Sequence, residues 1–263
     1  MENEIEFRVL GVVEVRAGTE WLPLSGKQRS LLAALLLQAN RTVTNSRLMD
    51  SLWGSPLPVS PETRVRTLVS ELRRVFEPKR HNPITTRPSG YMIRIEQGQL
   101  DLDTFTSTVA RARHERLNSR DEASVELYDQ ALGLWTGPAL GGTTGPNAEA
   151  ESARLVEMHR SAQEERFDLL LQLRRYAELT ADLTPLVLEY PLRERFHGQL
   201  MAALHGSGRR SEALDVYMGL RKRLVTELGM EPMPELRQLQ QRILAGPADP
   251  FDPPAGDLRS VAR

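Results

Sequence analysis

Between Pro61 and Phe76 the chain carries Thr63, Arg64, Arg66, Thr67, Ser70, Arg73 and Arg74, hydroxyls and guanidinium groups interleaved with apolar residues. Wound at helical spacing, Val65, Leu68, Val69, Leu72, Val75 and Phe76 gather on one face. Thr63, Arg66, Thr67, Ser70 and Arg74 fall opposite, flanked by Arg73. Arginine pairs two acceptors of a guanine edge at once, hydroxyls meet bases or phosphates, and a major groove admits one helix of this diameter. The face is thus equipped to recognise a nucleic-acid duplex. A solvated exterior accounts for the same residue types, and the helix by itself leaves both readings open.

Other chemistries are poorly supplied. The chain has no cysteine, which excludes disulfides, thiolate metal sites, iron–sulfur clusters and cysteine nucleophiles. His81, His114, His159, His197 and His205 show no short metal-ligand spacing. Gly26-Lys27 resembles the end of a phosphate loop, but Trp21 stands where that motif needs glycine and Gln28 where it needs Ser or Thr. Asp101 and Asp103 read as residues that cap or solvate the start of a domain, not as an acid–base pair. We therefore expect no enzymatic activity, no metal and no cofactor. The formal net charge of −1 averages unlike halves: residues 1–100 hold 14 Lys/Arg against 10 Asp/Glu, and the remainder 20 against 25. No apolar run of about 18 residues suggests a membrane span, and Met1–Glu6 lacks a signal-peptide layout. The expectation is a cytoplasmic protein.

The elements that would position the basic face follow from periodicity. Ile5–Leu10, Val12–Arg16 and Trp21–Leu24 predict a small antiparallel sheet. Helices are predicted over Lys27–Gln38, Asn45–Trp53 and Pro61–Phe76, with Thr44 and Ser60 as caps. Gly54, Ser55, Pro56, Leu57 and Pro58 break the second from the third. A hairpin follows, Ile84–Arg87 and Tyr91–Ile95 about the turn Pro88-Ser89-Gly90. Three helices and then a hairpin is the winged-helix plan, in which the last helix enters the major groove and the wing reaches the adjacent backbone or minor groove. Arg87 is the wing candidate for the minor groove, and Thr86, Ser89 and Gly90 for phosphates; for Arg87 a solvated turn residue is the competing reading. Tyr91 reads more readily as a core contact of the hairpin than as a nucleic-acid contact.

The second half is predicted helical at Leu102–Leu117, Asp121–Trp135, Glu149–Arg174, Ala177–Glu189, Leu192–Ser207, Ser211–Glu227 and Met233–Leu244. Small residues such as Ala202, Ala203 and Ala213, and the stretch Arg210–Tyr217, suggest tetratricopeptide-like hairpins. Gly137–Asn147 is a long glycine-rich loop, read as a connection or as a partner-binding segment. The expected fold is an α+β winged helix-turn-helix domain over residues 1–98, an all-α domain over 99–245, and a disordered tail over 246–263.

The chain resembles the Streptomyces antibiotic regulatory protein type of activator. The resemblance rests on Phe7–Gly11 with Val13–Val15, Gly26–Arg29 leading into a leucine-rich helix, and Arg47–Gly54. It continues through Thr67–Arg74, Thr86–Tyr91 and Leu100–Phe105, in order over about residues 5–105. It implies an OmpR-type winged helix followed by a bacterial transcriptional activation domain. The implied partners are double-stranded promoter DNA and RNA polymerase holoenzyme, with its sigma factor and core subunits. Two protomers are expected side by side on direct repeats, at the nucleoid, regulating a pathway of antibiotic or other secondary metabolism. Thr63, Arg64, Arg66, Thr67, Ser70, Arg73, Arg74, Thr86, Arg87, Ser89, Gly90 and Tyr91 become the DNA-binding candidates. Gly54, Ser55, Pro56, Leu57 and Pro58 correspond to the polymerase-contacting loop of related winged helices. Arg64-Val65-Arg66 departs from members richer in neutral polar residues, so base preferences are not carried over. Members often continue into an ATPase module, and this chain is read as a short, pathway-specific regulator. The competing class is a protein-interaction adaptor that uses the helical half.

Overall fold

The computed structural model describes residues 5–76 and 82–245; the tail expected over 246–263 lies outside the described residues. By internal contacts the chain forms two compact units, one of residues 1–118 with 126–162 and the other of 119–125 with 163–263.

The first unit opens with the antiparallel sheet β1 (Ile5–Arg8), β2 (Glu14–Ala17) and β3 (Glu20–Trp21), in that order. Phe7 pairs with Val15, and the alternation that buries Ile5, Phe7, Val15 and Ala17 is the period-two signal of a one-sided sheet. The helix α1 (Gly26–Leu36) starts at a capping box: Ser25 N donates to Gln28 Oε1 at 2.8 Å, and Gln28 N donates to Ser25 Oγ at 3.4 Å. Ser25→Ala is expected to cost about 1 kcal/mol in chemical denaturation, the usual cost of a lost N-cap. The helix ends at Leu36, short of the predicted Gln38, and buries Leu31, Leu32, Leu35 and Leu36. Helix α2 (Asn45–Leu52) is capped by Thr44, which accepts from Arg47 N at 3.4 Å, and α3 spans Pro61–Phe76.

Ser60 does not adopt the extended backbone of an ordinary cap: its φ is 53°, and its carbonyl accepts from Arg64 N. A second sheet has the order β4-β6-β5, from β4 (Val43–Thr44), β5 (Ile84–Arg87) and β6 (Gly90–Ile93). β4 has no counterpart in the sequence reading, because two residues carry no periodicity.

Helix α4 (Asp101–Leu117) begins where Phe7 N donates to Gln99 O, and Asp101 accepts from the amides of Val9 and Leu10. Helix α5 (Asp121–Leu132) stops before Trp135, contrary to the predicted end. Trp135 packs instead between Phe105, edge-on at 5.6 Å, and His159 at 4.4 Å. Residues 136–147 then bind the winged helix as a strap. Thr136 N donates to Leu10 O, Leu140 N to Val9 O, Gly141 N to Gly11 O, and Val13 N to Gly141 O. Ser30 Oγ donates to Thr144 O at 2.7 Å and accepts from Thr144 N at 2.8 Å. The segment read as a connection is thus a built part of this unit, and α6 begins at Pro146 instead of Glu149.

The second unit holds the end of α6 (Pro146–Gln172), α7 (Tyr176–Glu189), α8 (Glu194–Gly206), α9 (Arg210–Leu228) and α10 (Pro234–Ala245). Successive helices pack as hairpins: α8 against α7 and α9, and α10 against α8 and α9. Ala202, Ala203 and Ala213 are buried, as expected of small residues at such crossings. Polar clamps fasten α6 to its neighbours: Arg166 reaches Glu178 and Asp182, Glu164 pairs with Arg193, and Gln199 donates to Asp168. Among the described residues, no helix is long and apolar enough to cross a membrane.

Candidate nucleic-acid interface

Helix α3 is held from one side only. Val65, Val69, Leu72 and Phe76 are buried at four-, three- and four-residue intervals, and the helix packs against α1 and α2. Its other side carries Thr63, Arg64, Arg66, Thr67, Ser70 and Arg74, all exposed. The Arg66 side chain is 69% accessible, and its link to Glu62 is long, at 3.8 Å. Such a pair contributes little to stability and gives way readily to a stronger acceptor. Thr67 Oγ1 donates to Thr63 O one turn back, which fixes that hydroxyl while leaving its lone pairs outward.

The wing is a four-register hairpin in which Thr86 faces Tyr91 and Arg87 faces Gly90. Gly90 is a packing glycine: a Cβ there would lie 2.0 Å from Val43 O, so only a bare backbone lets β6 approach β4. Ser89 is exposed, and its carbonyl accepts from Asn45 N at 3.0 Å, tying the wing turn to the first residue of α2. Thr86 is exposed, whereas Arg87 is half-buried, with Nη2 at 4.0 Å from Met92 Sδ. Tyr91 is 8% exposed and belongs to the hairpin core.

The twelve nominated residues therefore separate. Eight form an exposed set on α3 and the wing: Thr63, Arg64, Arg66, Thr67, Ser70, Arg74, Thr86 and Ser89. Gly90 and Tyr91 are built into the wing, Arg87 lies along it, and the Arg73 guanidinium turns toward β5, where it donates to Thr86 Oγ1. Sequence reasoning passed over Arg47, exposed on the α2 turn next to Asn45; its position after the Thr44 cap was the available signal. In the α2–α3 loop, Ser55, Pro56 and Leu57 are exposed, Gly54 and Pro58 half-buried, and Val59, which was not nominated, is 84% accessible. Among the described residues no cluster of His, Asp and Glu could hold a metal ion.

Comparison with known proteins agrees with this architecture. Residues 18–93 match the family model described as transcriptional regulatory protein, C terminal, and residues 100–244 that of the bacterial transcriptional activator domain. Regulatory protein AfsR of Streptomyces griseus is 40% identical over 257 residues, 96% of this chain but 26% of that protein. The chain thus spans about a quarter of the AfsR length. Regulatory protein DnrI of Streptomyces peucetius is 34% identical over 94% of this chain and 93% of its own length. The solved structure of Mycobacterium tuberculosis EmbR in complex with a low affinity phosphopeptide superposes with a TM-score of 0.89 at 29% identity, covering 95% of this chain and 67% of that one. With one family model over more than half of its residues, and a relative above 30% identity matched over nearly all of its length, the chain belongs to the Streptomyces antibiotic regulatory protein family of transcriptional regulators.

Proposed function

We propose that this regulator is a sequence-specific activator that binds direct repeats in promoter DNA through α3 and recruits RNA polymerase holoenzyme. One observation carries the reading: an unobstructed face of Thr63, Arg64, Arg66, Thr67, Ser70 and Arg74, on a helix whose opposite face is locked in the core, stands beside an anchored wing. Arg66 and Arg74 suit guanine edges or phosphates in the major groove, the hydroxyls supplement them, and the wing lies over the neighbouring backbone or minor groove. Repeats about one helical turn apart place two protomers side by side on one face of the duplex. The α2–α3 loop, with Leu57 and Val59 outward, is the surface offered to polymerase. The target promoters are those of a secondary-metabolite pathway, and a DNA-binding domain over residues 1–98 and an activation domain over 99–245 serve them at the nucleoid.

The test is footprinting of the full chain on promoter DNA around its own gene, with Arg66→Ala and Arg74→Ala alongside. Wild type is expected to protect spaced repeats and to lose affinity steeply with added salt. Each variant is expected to bind about 5- to 150-fold more weakly, the cost of one specific contact. Salt-resistant binding that ignores both substitutions would replace this reading with the adaptor.

A further inference from the structure

We infer that Arg73 is a positioning residue that ties the wing to the reading helix, an inference that rests on α3 and the wing contacting DNA together. Arg73 sits in the last turn of α3, one residue before the exposed Arg74, yet it points elsewhere. Its Nη2 donates to Ile84 O at 3.2 Å and to Thr86 Oγ1 at 2.9 Å. Those acceptors are two residues apart on β5, and the Arg73 guanidinium lies 5.9 Å from the centre of the Tyr91 ring, on the strand paired to β5. Thr86 precedes Arg87, the last residue of β5.

Elsewhere among the described residues the hairpin is fastened along β6 and at its turn, by Val43↔Tyr91, Thr44↔Gly90, the Asn45–Ser89 hydrogen bond, the Asn40 amide donating to Ile93 O and the Asn40 side chain bonded to Ile95, and β6 also packs on α1. These contacts hold β6 and the turn and leave β5 to a different tie. Among the described residues, Arg73 supplies a direct side-chain link from β5 to α3 and so fixes the offset between the helix in the groove and the strand that ends at Arg87. A bound duplex needs both parts in register with one backbone, so an unclamped wing loses orientation before it loses fold. Arg73 Nη2 is committed to β5 and Nε is buried, so specificity is read by its neighbours.

The experiment compares full-length wild type, Arg73→Gln, Thr86→Val, the double variant and Thr86→Ser. Each is measured for affinity to the promoter fragment that wild type protects, for guanine N7 protection in the major groove, for hydroxyl-radical protection beside it, and, without DNA, for amide exchange across β5 and β6. Arg73→Gln, which removes the bonds to both Ile84 O and Thr86 Oγ1, is expected to weaken binding roughly tenfold, Thr86→Val, which leaves the bond to Ile84 O, by less, and the double variant no more than roughly twofold beyond Arg73→Gln, because the bond to Thr86 is already lost in it. Thr86→Ser, which keeps the hydroxyl, should keep the wing-amide exchange of wild type in the DNA-free protein. Major-groove protection should persist while protection next to it fades and wing amides exchange faster. Losses that multiply in the double variant, or loss of a single guanine contact with unchanged wing exchange, would overturn the assignment and make Arg73 a direct contact. Thr86→Val keeps the test decisive if Arg73→Gln misfolds. Wild type that protects no DNA overturns the parent reading instead, and amide exchange in the free protein then still decides whether the clamp exists.

Discussion

Gly145→Ala is expected to strip the strap from the winged helix and to lower stability by about 2–4 kcal/mol, combining the cost of an unfavourable backbone with that of overpacking. The residue has φ 137°, where a side chain is strained, and its added Cβ would lie 2.2 Å from the carbonyl oxygen of Ser51 in α2. That carbonyl sits in the last turn of α2, whose backbone is held by the bonds from Trp53 N to Met49 O and from Gly54 N to Asp50 O, so the strap must lift. Its neighbours stand to be lost with it: the paired bonds between Ser30 and Thr144, and the packing of Pro146 over Gly54. Gly18→Ala is the matched control. It has φ 62° with nothing within 4 Å of the added Cβ, so it bears only the left-handed cost of about 1–2 kcal/mol. Thermal melting should show a fall of roughly 5–15 °C for Gly145→Ala and less for Gly18→Ala. Amide exchange at Leu140, Gly141 and Thr144 should accelerate only in the first. Equal effects from the two substitutions would mean that the contact with Ser51 is unimportant.

This strap marks the limit of what the sequence makes legible. The pattern of Val65, Val69, Leu72 and Phe76 is a local period, and it located both α3 and its exposed face. Ser25 with Gln28, and the turn before Gly90, are likewise local signals written in residue type. The strap is written mostly in main-chain bonds, from Leu10 O to Thr136 N and from Gly11 O to Gly141 N, and backbone groups leave no signature in side chains more than a hundred residues away. Its glycines read as looseness, whereas Gly145 and Gly142 are demanded by close approach and positive φ. Arg73 and Arg74 show the same limit within one turn. Identical in type and adjacent, they were nominated together, and only the path of β5 separates a clamp from an exposed cation. Trp135 extended a helical pattern until Phe105 and His159, both distant in sequence, offered it a better contact.

Asp101→Ala is expected to destabilise the first unit by on the order of 3 kcal/mol at pH 5, because it leaves three amides without their acceptor. Oδ1 accepts from Leu102 N at 2.8 Å, Oδ2 from Leu10 N at 2.9 Å, and both oxygens from Val9 N at 2.9 Å. From sequence this carboxyl is expected to cap or solvate the entry to the second domain. It does serve α4 at Leu102, but it also holds the end of β1 against the helix. Asp101→Asn should cost less than Asp101→Ala, since one oxygen still accepts while the amide nitrogen faces a donor. Burial pushes the Asp101 carboxyl up from 3.8 to about 6, against the pull of the Leu10, Val9 and Leu102 amides and of the Arg8 charge. The sign of the pH effect follows. Between about pH 4 and 6 the folded chain retains a proton that the unfolded chain has released, so the stabilisation from this group is full below that window and is lost as pH rises through it. The displacement of about two pH units sets the change at no more than about 3 kcal/mol, at 1.36 kcal/mol per unit. Acid effects of other carboxyls cancel when wild type and Asp101→Asn are compared at each pH by urea denaturation. Their stability gap should be widest near pH 4 and narrow toward pH 7. A gap that grows with pH would show that the three amides outweigh burial and that the anion is the form the fold prefers.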